Sequence, residues 1–143
     1  MRLDESEAWR RFRAARVARL ATTGADGAPH VVPVTFAVSP PAEPAAVVIA
    51  VDHKPKTTTN LRRLRNIAAT GRASILTDEY DEDWPRLWWV RLDGRARVLT
   101  DDAGRAAPIT WLVAKYAQYQ DNPPQGPVIR IEADTITGWA YAE

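Results

Sequence analysis

The stretch RASILTDEYDEDWPRLWWVRLDGRARVLT, residues 72–100, decides the fold. RASILTD reads as a strand, YDEDWPR as a polar loop, and LWWVRLDGRARVLT as a long strand that Gly94 interrupts with a bulge or bend. Two strands follow each other with no helix between them, so this is not the βαβ alternation that a parallel sheet requires.

The flanking segments follow the same logic. Upstream, ARVARLATT is a strand, GADGAP its turn through Asp26-Gly27, and HVVPVTFAV the next strand. Val32, Val34, Phe36 and Val38 share one face of that strand, and Pro33 demands an edge or a bulge because it donates nothing to a ladder. SPPAEPA is a rigid loop and AVVIAV a third strand. A short helix over 59–69 follows, with Leu61, Leu64 and Ile67 or Ala68 buried, Arg62, Arg63 and Arg65 toward solvent, and Gly71 as a left-handed terminator. Downstream, Asp101 or Asp102 caps a helix carrying Ile109, Leu112, Val113 and Tyr116. DNPPQGP then breaks the chain before VIRIEADTITGWAYA, which forms one or two strands. At the start, Asp4 caps a helix whose Ala8, Trp9, Phe12 and Ala15 face the core. The order implies a mostly β fold with peripheral helices: one domain over residues 1–143, its mainly antiparallel sheet closed into a small barrel.

Composition narrows the function. The chain has no cysteine and only His30 and His53, which removes thiolate chemistry and argues against a metal centre. A net charge of +1 gives no general attraction to nucleic acid. The charged MRLDESEAWRRF start is no secretory signal, and AAVVIAV is too short to span a membrane, so a cytoplasmic protein is expected.

Two places invite a ligand. In DHKPKTTTNLRRLRNI, residues 52–67, Lys54 and Lys56 flank Pro55 in the turn before a helix N-terminus, where the dipole and free N–H groups favour an anion. Thr57, Thr58 and Thr59 add hydroxyl donors; on the residues alone, an anion cradle and a plain exposed turn stand even. In WPRLWWVR, Trp88 and Trp89 point to opposite faces, so one barrel interior cannot take both. Trp89 shares its face with Arg91, a pairing suited to a planar anionic ligand or a partner surface. Core packing accounts for Trp139. Neither histidine is assigned a catalytic role, and no catalytic residue is identified.

These segments together, with GPVIRIEADTITGWA, resemble the pyridoxamine 5'-phosphate oxidase-like split β-barrel family, and within it the branch of probable coenzyme F420-dependent enzymes. The resemblance runs from about Arg16 to Trp139 and implies a split barrel acting as a homodimer, with cofactor in a groove at the dimer interface. It implies that Lys54 and Lys56, with Thr57 and Asn60, hold the cofactor's phosphate or acidic tail. His30, Val32, Pro33 and Val34 would lie along the ring system, Val51 would border the groove together with Thr22, and Trp89 and Arg91 would approach the partner's cofactor. The implied activity is F420-dependent hydride transfer to a small organic substrate. The alternatives are an FMN-binding oxidoreductase of the same fold and a non-catalytic cofactor- or haem-binding protein. Neither nucleic acid nor membrane is an expected partner.

Overall fold

A computed structural model of the chain describes residues 1–51 and 61–142. The elements are α1 (Glu5–Ala14), β1 (Ala18–Thr23), β2 (Pro29–Val34), β3 (Ala37–Val38), β4 (Ala46–Ala50), α2 (Arg62–Thr70), β5 (Arg72–Glu79), β6 (Trp88–Leu99), α3 (Asp102–Lys115), α4 (Ala117–Asp121) and β7 (Val128–Ala140). A single 3-10 turn, Trp84–Arg86, sits in the loop before β6.

The strands form one sheet in the order β2-β1-β5-β6-β7-β4-β3, and every pairing is antiparallel. Its two edges, β2 and β3, are separated in sequence by Thr35 and Phe36 alone. Two residues span at most about 7 Å, so the sheet must curl until its edges nearly meet. The result is a half-open barrel with helices packed around it. The single strand expected over HVVPVTFAV is therefore two strands on opposite edges. At the corner between them the Phe36 ring is wholly buried against Phe12, 4.9 Å between centroids.

Inside the curl lie Leu20, Val34, Phe36, Val47, Ile49, Ile75, Val90, Leu92, Ile129 and Ile131, with Phe12 of α1 and Ile67 of α2 covering the ends. A second cluster, Val48, Leu99, Leu112, Tyr116 and Val128, lies between the sheet and α3. The strand β4 is buried on both faces, which explains its unbroken apolar run AVVIA.

Helix ends follow local chemistry. Asp4 accepts from Glu7 N and Asp101 from Gly104 N, each a side-chain N-cap. Gly71, at φ +67°, ends α2 by returning its N–H to Ile67 O. The N-cap of α2 is Leu61, which supplies no side-chain hydrogen bond; Thr59 lies outside the described residues. Ile67 rather than Ala68 takes the buried position, and Asn66 is buried beside it.

Gly94 marks the bulge, though the extra residue belongs to β7: Asp93 faces Thr135 and Gly94 faces Ala133, leaving Asp134 unpaired. A Cβ on Gly94 would stand 2.1 Å from Glu132 O, so only glycine lets β7 approach here. No helix among the described residues is long and apolar enough to cross a membrane.

Candidate functional site

A cleft of about 450 Å³ opens where the sheet's edges approach. Pro33, Val34 and Thr35 come from β2 and the corner after it, Ala50 from β4, and Val17 precedes β1. Leu61 and Arg63 belong to the start of α2. Tyr116, Gln118 and Tyr119 belong to the α3–α4 junction. The volume lies within the range of about 300–1,000 Å³ that small-molecule sites occupy.

The sequence explains why these groups converge. Because β2 is an edge strand, one row of its backbone groups has no sheet partner, and Pro33 has no N–H to leave unpaired. Helix α3 ends at Tyr116, whose ring is buried while its hydroxyl bridges the corner. The Tyr116 hydroxyl accepts from Phe36 N at 3.1 Å and lies 2.9 Å from the carbonyls of Phe36 and Arg16. Burial pushes the Tyr116 phenol above its ordinary pKa, against the hydrogen bond with Phe36 and the charge of Arg16. Beyond it, the Tyr119 hydroxyl pairs with Thr35 Oγ1 at 3.0 Å, and the two tyrosine rings meet edge to face.

The electrostatics of the cleft are basic. Arg63 lines it, Arg62 is its neighbour on α2, and their charges, after desolvation, lower the pKa of His30. His30 is therefore neutral at pH 7, and its Nδ1 is buried with no hydrogen-bond partner. Its cross-strand neighbour Thr22 accepts from Asn66 Nδ2 at 3.1 Å. Behind the corner, Lys115 Nζ sits 3.7 Å from the Phe36 ring centroid without a hydrogen bond. Burial, then the charge of Arg16, lowers its pKa to about 8.

Of the residues expected at a cofactor, Pro33 and Val34 line this cleft together. His30 and Val32 share β2 but face inward with Leu20 and Thr22, not into the cleft. Val51 is buried in the barrel core, and its neighbour Ala50 lines the cleft instead. Lys54, Lys56, Thr57 and Asn60, with His53, lie outside the described residues, just before Leu61 and Arg63 at the cleft wall.

Trp89 and Arg91 lie elsewhere. They line a second groove of about 450 Å³ on the outer face of β2, β1, β5 and β6, with Arg19, Ala21, Val31, Ser74, Leu76, Asp78 and Tyr80. The Arg91 guanidinium lies 5.7 Å from the Trp89 ring centroid and pairs with Asp93 at 3.1 Å. Burial alone would raise the Asp93 pKa, but hydrogen bonds from Ser74 and Arg91 outweigh it and hold the carboxyl below its ordinary value. Val31 and Tyr80 are 61% and 71% exposed, an apolar surface open to solvent in one chain. Trp88 faces the other way and packs on the barrel core, as strand alternation requires. Trp139, expected in the core, is the register partner of Trp89 and so belongs to the outer face, edge-on to Tyr141.

The hydroxyl-bearing residues Thr35, Tyr116 and Tyr119 were not singled out as ligand contacts from sequence. Tyr116 was visible only as part of an apolar stripe, and QYQ of α4 shows no pattern at all. No group of histidine, cysteine or carboxylate side chains suited to a metal ion occurs among the described residues.

Comparison with known proteins agrees with this architecture. The family model described as pyridoxamine 5'-phosphate oxidase matches residues 5–140. A FAD-binding protein from Mesorhizobium loti has a similar structure, at 25% identity and TM-score 0.70, covering 96% of this chain and 95% of that one. A FAD-binding protein from Mycobacterium smegmatis is similar at 20% identity and TM-score 0.63, covering 99% of each chain. A conserved hypothetical protein from Mycobacterium tuberculosis superposes at TM-score 0.75 with 19% identity, over 96% of this chain and 85% of that one. No curated protein matches the sequence.

Proposed function

Since the chain belongs to the pyridoxamine 5'-phosphate oxidase family, we propose that it is an oxidoreductase that binds a flavin-class tricyclic cofactor in the cleft between Pro33–Thr35 and Tyr116–Tyr119. The observation that carries this reading is the cleft itself: apolar walls from Val17, Pro33, Val34, Ala50 and Leu61, phenol hydroxyls beside them, and one arginine. A planar, partly polar ring with an anionic side chain matches that lining. The FAD-binding proteins of Mesorhizobium loti and Mycobacterium smegmatis, which share the fold, support the ligand class.

The cofactor class supplies hydride transfer, and the protein's part is to bind, orient and exclude water. Arg63, in the first turn of α2, would hold the anionic end together with Lys54 and Lys56. Edge strand β2 offers its unpaired backbone groups to the ring. His30 is uncharged at neutral pH, so it adds no cation to the site. Among cofactors of the class, coenzyme F420 and FMN are the two favoured by the sequence resemblance. The observation for F420 is the density of cations: Arg62 and Arg63 follow Lys54 and Lys56 within ten residues, more than one phosphate needs. The substrate is a small organic acceptor reduced by hydride.

The protein works as a homodimer in this reading. The outer groove around Val31, Tyr80, Trp89 and Arg91 is the surface a second copy covers, bringing Trp89 and Arg91 to the partner's cofactor. The test is a binding titration with FMN, FAD and F420 followed by tryptophan fluorescence; absence of binding at tens of micromolar overturns the reading.

A further inference from the structure

Hydroxyl bookkeeping in the cleft singles out one pair. Tyr116 has one proton and already sets it between the carbonyls of Phe36 and Arg16, while its oxygen accepts from Phe36 N. Its hydrogen-bonding capacity is committed to the fold, and it offers a ligand only its ring. Thr35 and Tyr119 bond each other at 3.0 Å, and either atom can be the donor. Two hydroxyls bring two protons and their mutual bond consumes one. Whichever way that bond runs, one proton remains to donate, and it belongs to a residue lining the cleft.

We propose that the Thr35–Tyr119 pair is the specificity-determining hydrogen-bond donor of the cleft, reading a carbonyl oxygen or unprotonated ring nitrogen of the bound tricyclic ring. The inference rests on the cofactor reading above and adds to it the part of the ligand that the helical wall recognises. An anionic end is drawn to Arg63 on α2, a different wall from the one that carries the hydroxyls. A neutral hydroxyl pair suits the uncharged polar atoms of the ring. Tyr119 also orients Thr35, because their bond ties the short helix α4 to the β2–β3 corner. A ligand of the same size with no acceptor leaves the spare proton unsatisfied in a half-buried site, which disfavours it.

The variants are Tyr119→Phe, Thr35→Val and Thr35→Ser, each compared with the wild-type chain in FMN and F420 titrations. Phenylalanine keeps the ring packing on Tyr116, valine keeps the volume of threonine, and serine keeps the hydroxyl. Removing at least one of the two hydroxyls, the one that presents the spare proton to the ring, weakens binding of the favoured ring about five- to tenfold, the size of one hydrogen bond, whereas Thr35→Ser stays within about twofold. The visible absorption band of the bound ring also moves in the variant that loses that donor but not in Thr35→Ser. A pair that only fastened α4 would lower the melting temperature and leave that band in place, which overturns the inference. Wild-type binding with equal affinity in all three variants overturns it too while leaving the cofactor reading intact. No wild-type binding overturns both.

Discussion

The Tyr116 hydroxyl stands 3.1 Å from Phe36 N and 2.9 Å from Phe36 O, in the place a neighbouring strand would occupy. At this corner the chain leaves one edge of the sheet for the other, and Phe36 is buried with no strand partner. The tyrosine satisfies both backbone groups, and so permits the crossing that shapes the cleft. Tyr116→Phe leaves a buried N–H unpaired and costs about 1–3 kcal/mol of stability. Urea unfolding measures this; an unchanged midpoint contradicts the assignment.

At Gly94, a Cβ would lie 2.1 Å from Glu132 O and 3.0 Å from Ile131 Cγ2. Backbone cannot yield there without moving β7 from β6. Gly94→Ala is expected to cost at least about 2 kcal/mol, at the upper end of overpacking effects, whereas Gly126→Ala meets only Val51 O at 3.1 Å and costs less. Comparing the two denaturation midpoints checks this; equal midpoints refute it.

Stability should depend on pH above neutrality through Lys115. Its folded-state pKa is lowered to about 8 from the ordinary 10.5, by burial and then by Arg16. Between those values the unfolded chain holds a proton that the folded chain has released, so stability rises as pH climbs from about 8 toward 10. Tyr116 acts oppositely: its pKa is raised, so above pH 10 the unfolded chain ionises first and stability falls. Phe36, Tyr116 and Arg16 are the groups facing the ammonium. Lys115→Met should flatten the rise. Parallel wild-type and variant curves across pH 8–10 would count against it.

Val31 is 61% exposed on the outer groove, so a charge there is harmless to a single chain. In the proposed dimer the same position is covered. Val31→Glu is therefore expected to fold, with a cooperative melting transition, and to sediment as a monomer while the wild type sediments as a dimer. A monomeric wild type, or a dimeric variant, rules out this groove as the interface.

Much of this was legible in the order and spacing of residues. Consecutive strands without helices between them announced an antiparallel sheet. Gly71 and Gly94 marked a helix end and a bulge, because glycine at such points answers a local steric demand. What was not legible depended on tertiary closure. HVVPVTFAV alternates like one strand, and only the pairing of β2 with β1 and of β3 with β4 shows that it crosses between two edges. Pro33 and Val34, which the family resemblance and not the alternation assigned to a cofactor, line the cleft. Thr35, Tyr116 and Tyr119 were not legible there, since their meeting joins residues about 80 positions apart. Trp89 and Arg91 were paired correctly by alternation, yet one chain holds them in a different groove from Pro33. The lysines of the KPKTTT turn lie outside the described residues.

The central claim, a flavin-class ring in the cleft beside Pro33 and Tyr119, is tested most directly by titrating the purified chain with FMN, FAD and F420 while following tryptophan fluorescence. Saturable binding of one of them at or below tens of micromolar, weakened by Arg63→Ala by about 1.5–3 kcal/mol as expected for a hydrogen bond to a charged group, is the predicted result. No binding of any of the three, or binding indifferent to Arg63, contradicts it.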